Sequence, residues 1–205
     1  MIWSDPAFEE RLAGLREVLF GKLRSEGDNI YALVDGARDP SIHIYAQAFP
    51  EIARCLYDGE VSEDLVEVAP WLIELREYGP ALDWLVREGL DQDWGIYIQS
   101  KLPMPRLKAR LKRILRVRDD GGKNYLFKYY RPRHLNDYLP AMLAEQLELM
   151  FSGVDAFLAE DQHQPGVMIL HRPDQIAAEH FDLRSVGRSR VIRPSESYQG
   201  NHKGA

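Results

Sequence analysis

The chain has 205 residues, of which 45% are hydrophobic and 28% charged, with a formal net charge of −6. That length supports one substantial core without a disulfide or metal staple, and the composition excludes the disordered and membrane-spanning classes. One cysteine, Cys55, excludes an internal disulfide, and no histidine or second cysteine stands near it at metal-ligand spacing. The opening stretch MIWSDPAFEERL carries acids where a signal peptide needs a basic segment and then an apolar one. No apolar run approaches the ~18 residues that cross a bilayer, so the expected location is the cytoplasm.

In chain order, a helix is predicted over about residues 6–24. Ser4 or Asp5 caps it, Pro6 stands in its first turn, and Phe8, Leu12, Leu15, Leu19 and Leu23 form one apolar stripe. NIYALVD reads as a buried strand ending at Asp35, PSIHIYAQAF as a short helix started by Asp39 and Pro40, and ARCLYDG as a second strand. SEDLVEVA is a helical turn capped by Ser62, and PWLIEL is a strand with Pro70 at its start. GPALDWLVREGL puts Leu82, Leu85, Val86 and Leu90 on one helical face, and WGIYIQS alternates as a strand. Pro103 and Pro105 bracket the start of a basic helix whose buried stripe is Leu107, Leu111, Ile114 and Leu115. RVRDDGGKNYLFKYY reads as a hairpin turning across Asp120, Gly121 and Gly122, with Tyr129 or Tyr130 on its open side. Two helical runs follow, PRHLNDYLP and AMLAEQLELMF, then strands in VDAFLAED and GVMILHR and a last helix in PDQIAAEHFDLRS. From about residue 194 the chain is polar and rich in Gly and Ser, as in disordered tails.

Strands alternating with helices predict an α/β fold: a mixed sheet with flanking helices up to about residue 130, and a smaller, mainly helical lobe after it. Charge is segregated along the chain. Glu51 to Glu77 holds eight acids against Arg54 and Arg76, whereas Arg106 to Arg118 holds seven Arg or Lys and no acid. Nucleic-acid binding is not expected, because the basic helix has no interleaved aromatics and the whole chain is acidic.

Three aspartates precede glycines at strand ends, Asp35, Asp58 and Asp120. With Asp119 they form the sharp enzyme alternative, a metal-dependent hydrolase whose carboxylates converge beyond the strand ends to hold a divalent cation. Against it, Asp-Gly is a common turn dipeptide, because the aspartate bonds its own backbone and the glycine accepts a left-handed conformation. No phosphate-cradling glycine loop follows Asp35 and no nucleophile motif is present. His163 and His171 flank the strand GVMIL, but two histidines without a carboxylate at fixed spacing do not make a metal site. No catalytic residue, cofactor or metal is therefore expected.

Taken as an ordered set, YALVDGARDP, CLYDGE, VAPWLIEL, DWGIYIQS, the basic helix running into ILRVRDDGG, YLFKYYRPRHLNDYLP and FSGVDAFLAED resemble the DUF4123 family over about residues 29–161. Its proteins look like adaptors, or effector chaperones, of the bacterial type VI secretion system. The resemblance implies a cytoplasmic, non-catalytic protein that binds a toxic effector and helps load it onto the trimeric VgrG-type spike protein without itself being delivered. It implies an adaptor domain over residues 1–161 and a variable region over 162–205, with no small-molecule substrate, nucleic acid or membrane as partner. Under it, the C-terminal lobe is expected as the main recognition surface and the basic helix as a second contact, with partner-binding residues on the exposed side of the hairpin and the turn after it, Arg118, Tyr130, Arg131 and Arg133, and at His134 and Asn136. An immunity protein that neutralises a toxin through its acidic surface is the third reading.

Overall fold

The computed structural model describes residues 5–57, 63–118, 121–174 and 178–185. Helix α1 (Pro6–Arg16) starts where predicted: the Asp5 carboxylate accepts the Ala7 backbone N–H at 3.0 Å, and Pro6 occupies the first turn, where a missing N–H costs nothing. It continues in wider π-type turns over Glu17–Leu23, where Val18, Leu19 and Leu23 extend the buried stripe. Strand β1 (Asn29–Asp35) is buried along almost its whole length, which is why NIYALVD is a continuous apolar run and not an alternating one. Asp39 then caps α2 (Pro40–Ala48), its carboxylate accepting the Ser41 N–H at 2.8 Å.

Next come β2 (Ala53–Cys55), shorter than predicted, α3 (Glu63–Glu67) and β3 (Pro70–Leu75). Helix α4 (Pro80–Trp84) runs on through Leu85–Gly89 and leads to β4 (Gly95–Ser100). The basic helix is α5 (Met104–Ile114), followed by a small hairpin of β5 (Arg116–Arg118) and β6 (Asn124–Leu126). Helices α6 (Pro132–Tyr138) and α7 (Ala144–Met150) precede β7 (Ala156–Glu160), β8 (Val167–His171) and β9 (Glu179–Asp182).

Seven of these strands form one sheet in the order β2-β3-β1-β4-β7-β8-β9. The predicted sheet flanked by helices is there, but every pairing among the described residues is antiparallel, not mixed. The crossover through α2 does leave β1 and β2 running the same way, yet β3 inserts between them and pairs antiparallel with both. Helices do follow residue 130, but β7, β8 and β9 extend the same sheet rather than standing in a lobe of their own.

The last predicted helix is corrected too. Within PDQIAAEHFDLRS, residues 179–182 pair with β8 from Val167↔Asp182 to Leu170↔Glu179. An open strand edge supplies backbone partners that an isolated short helix lacks, and Phe181 and Leu183 join the core on the α1 side.

Each face of the sheet carries its own core. On one, Ile30, Ala32, Val34, Ile73, Tyr97 and Leu158 pack under α1, α2 and α4. On the other, Tyr31, Leu33, Leu72, Ile96, Ile98 and Phe157 pack under α5, α6 and the aromatic turn Phe127–Tyr130. Asp35 continues the odd-numbered, α5 and α6 side of β1, while Glu160 continues the even-numbered, α1 and α4 side of β7.

Candidate functional site

Beyond the end of β1, two sequence motifs that lie far apart in the chain meet. Asp35 has no solvent exposure, and its Oδ2 accepts the Arg131 Nε–H at 2.8 Å with the Lys128 ammonium 3.6 Å away. Its Oδ1 also accepts the Ala37 N–H at 3.3 Å, so the predicted turn-closing role holds, and its own N–H donates to the Trp94 carbonyl at 2.7 Å. The phenols of Tyr57 and Tyr130 complete the surroundings. Burial first, and then the negative Asp35, push both phenols above the usual tyrosine value, while Arg131 opposes the rise at Tyr130.

Gly36 is needed for a different reason from the one its Asp-Gly setting suggests, since it is not among the glycines with positive φ. An added Cβ would lie 2.6 Å from the carbonyl oxygens of both Glu67 and Ala69. Its N–H donates to the same Ala69 carbonyl at 2.9 Å, so strand end and neighbour cannot separate without losing that bond. Gly36→Ala is expected to lower stability by about 2 kcal/mol, measured by urea denaturation; an unchanged midpoint would show that the segment before β3 yields freely.

The turn after the hairpin overturns one predicted contact. Tyr130 is fully buried, as is Tyr129, whose hydroxyl donates to the Leu111 carbonyl of α5 at 3.0 Å. The chain leaves the hairpin after Leu126, so the period-2 pattern stops and both rings turn inward, edge to face with centroids 5.8 Å apart. Arg131 is mainly an internal partner of Asp35. Asn136 is also committed inside: its Nδ2 donates to the Glu160 carbonyl at 2.9 Å, and its Oδ1 accepts from His171 Nε2 at 2.8 Å. His134 is half-buried, its Nδ1 donating to the Lys128 carbonyl at 3.2 Å. Arg118 and Arg133 are exposed as expected, and the Arg118 Nε donates to the Gly122 carbonyl at 3.0 Å. The six expected contact residues therefore divide: Arg118 and Arg133 face solvent, His134 is half-buried against the Lys128 carbonyl, and Tyr130, Arg131 and Asn136 hold α6 and its preceding turn to the sheet.

Sequence reasoning missed a second polar centre on the opposite face. Glu160 is buried and accepts the Asp91 N–H at 2.8 Å; burial, with Asp91 and Asp93 adding to it, pushes its carboxyl up to about 8. Asp91 in turn pairs with Arg11 of α1 and accepts the Gly166 N–H at 3.3 Å, joining three segments. The available signal was DQD, Asp91 to Asp93, directly after a helix end: both aspartates adopt positive φ, at 64° and 57°. His171 is held down to about 4, by burial first and then by His180.

Of the aspartates in the hydrolase alternative, Asp58, Asp119 and Asp120 lie outside the described residues, as do the cap Ser62 and the tail from residue 194. Among the described residues no group of three or more His, Cys, Asp or Glu side chains is arranged to hold a metal ion. His171 ends β8, whereas His163 lies in the turn before that strand, so the sheet does not bring them together. No described helix is long and apolar enough to cross a membrane.

Residues 30–149, more than half of the chain, match the model of DUF4123, described as a domain of unknown function. None of the curated proteins and none of the solved structures matches the chain.

Proposed function

The chain belongs to the DUF4123 family, and from that premise we propose that it is a cytoplasmic, non-catalytic adaptor that binds a type VI secretion effector and promotes its loading onto the VgrG-type spike protein. The observation that carries this reading is the fate of the family's motif residues. Asp35, the most enzyme-like of them, is withdrawn from solvent and neutralised by Arg131 and Lys128. A carboxylate so placed maintains the join between β1 and the turn before α6 and is not offered to a metal or substrate. Segregated surface charge supports the same reading, since it steers and orients a protein partner while contributing less to final affinity than buried anchors do.

The test is co-purification of the tagged protein with the toxin encoded by the neighbouring gene and with the spike protein. The expected result is capture of the toxin with its activity intact, and of the spike protein when the toxin is present. Capture of neither would remove the adaptor reading. Loss of toxin activity on binding would replace it with the immunity one.

A further inference from the structure

We propose that the outer face of α5, together with strands β5 and β6, is a docking surface for an acidic, amphipathic segment of a protein partner, an inference that rests on the adaptor reading. Burying Met104, Leu107, Leu111 and Ile114 against the sheet turns Arg106, Arg110 and Arg113 outward in one row, spaced four and three residues apart. All three are exposed, as is Arg116 at the start of β5, and none of the four makes a salt bridge or side-chain hydrogen bond among the described residues. Like charges at this spacing repel, so the row works against its own helix, and no described acid relieves it. An anionic partner would.

The hairpin supplies the second observation. All six residues of its two strands are exposed, Val117, Tyr125 and Leu126 among them. Among the described residues each strand pairs only with the other, so neither outer edge of this small sheet has a described strand beside it. Only Leu115 separates α5 from β5, and the two elements touch, so the strands begin beside the C-terminal end of the arginine row. Open edges beside exposed apolar side chains accept an added strand, the main chain giving affinity and alternate side chains giving selectivity.

The two halves of this surface demand different things of one ligand. A segment with acids along one side and apolar residues along the other meets both demands. A nucleic acid meets only the first, against a net charge of −6 on the whole chain and with no aromatic within the arginine row.

The experiment titrates the full-length protein with three fluorescent probes: a synthetic peptide in which glutamates alternate with leucine and phenylalanine, the same peptide with glutamine for glutamate, and a single-stranded oligonucleotide. Each is repeated with Arg106→Gln/Arg110→Gln/Arg113→Gln and with Val117→Ser/Leu126→Ser, changes at exposed positions whose folding is checked by circular dichroism. The acidic peptide is expected to bind best, to weaken about tenfold with the triple variant, and to weaken again with added salt. It should also weaken with the hairpin variant. Binding indifferent to the arginines, or tighter binding of the oligonucleotide, would overturn the proposal. A neighbouring-gene toxin captured equally well by the wild type and the triple variant would also overturn it while leaving the adaptor reading in place. If the peptide follows the arginines but the wild type captures neither toxin nor spike protein, the surface stands and the adaptor reading falls.

Discussion

Arg131→Met is expected to lower the unfolding free energy by about 3 kcal/mol, because it leaves the Asp35 carboxylate buried with only the more distant Lys128 ammonium for compensation. The two partners of this pair are not equivalent. Asp35 has no exposure, whereas the Arg131 side chain keeps 26% of its own. A guanidinium left alone there still reaches water; a carboxylate left alone does not. Asp35→Asn should therefore cost less than Arg131→Met, and the double variant should recover much of the loss. Urea denaturation of the two single variants and the double variant gives the coupling directly. If Arg131→Met and Asp35→Asn cost the same and their effects add, the pair is a surface contact and the account of β1's end is wrong.

The second large effect depends on pH. With its folded pKa raised to about 8 from an ordinary value of 4.5, Glu160 holds a proton in the folded state across a window where the unfolded chain has released it. Stability from this group is therefore fully present below the lower value, falls as pH rises through the window, and levels off above the upper one. Glu160→Gln keeps an oxygen for the Asp91 N–H and removes the charge. It is expected to stabilise the protein by roughly 2–4 kcal/mol on the alkaline side, and by little on the acid side. His171 acts in the opposite sense: its folded value is depressed to about 4 from 6.5, so its contribution is complete above the unfolded value and is lost as pH falls through the window. Stability should thus peak where Glu160 is largely protonated and His171 still neutral. Urea midpoints for wild type and Glu160→Gln at acid, neutral and alkaline pH check this, and parallel curves would show that another group titrates.

Both effects involve contacts that no local pattern announces. Asp35 and Arg131 are 96 residues apart, and their pairing requires the turn after the hairpin to lie over the end of β1. Asp91 meets Glu160 across 69 residues. Tyr130 shows the same limit from the other side: read as part of an alternating strand it has an open face, but its burial was set by where the chain leaves that strand.

What the sequence by itself determined was everything encoded within a few residues: the caps at Asp5 and Asp39, the buried stripe of α5, the apolar run of β1, the turn-closing carboxylate of Asp35, and the ordered motifs that mark the family. Helical and strand periods and capping geometry are short-range, so they survive without knowledge of neighbours. Only the tertiary structure decided that β3 separates β1 from β2, that residues 179–182 form a strand and not part of a helix, and which charges lie inside. Sheet order and the partners of buried charges depend on which distant segments share an edge or a face. A strand edge that needs pairing, or a carboxylate that needs a cation, is satisfied by whatever the rest of the fold brings beside it.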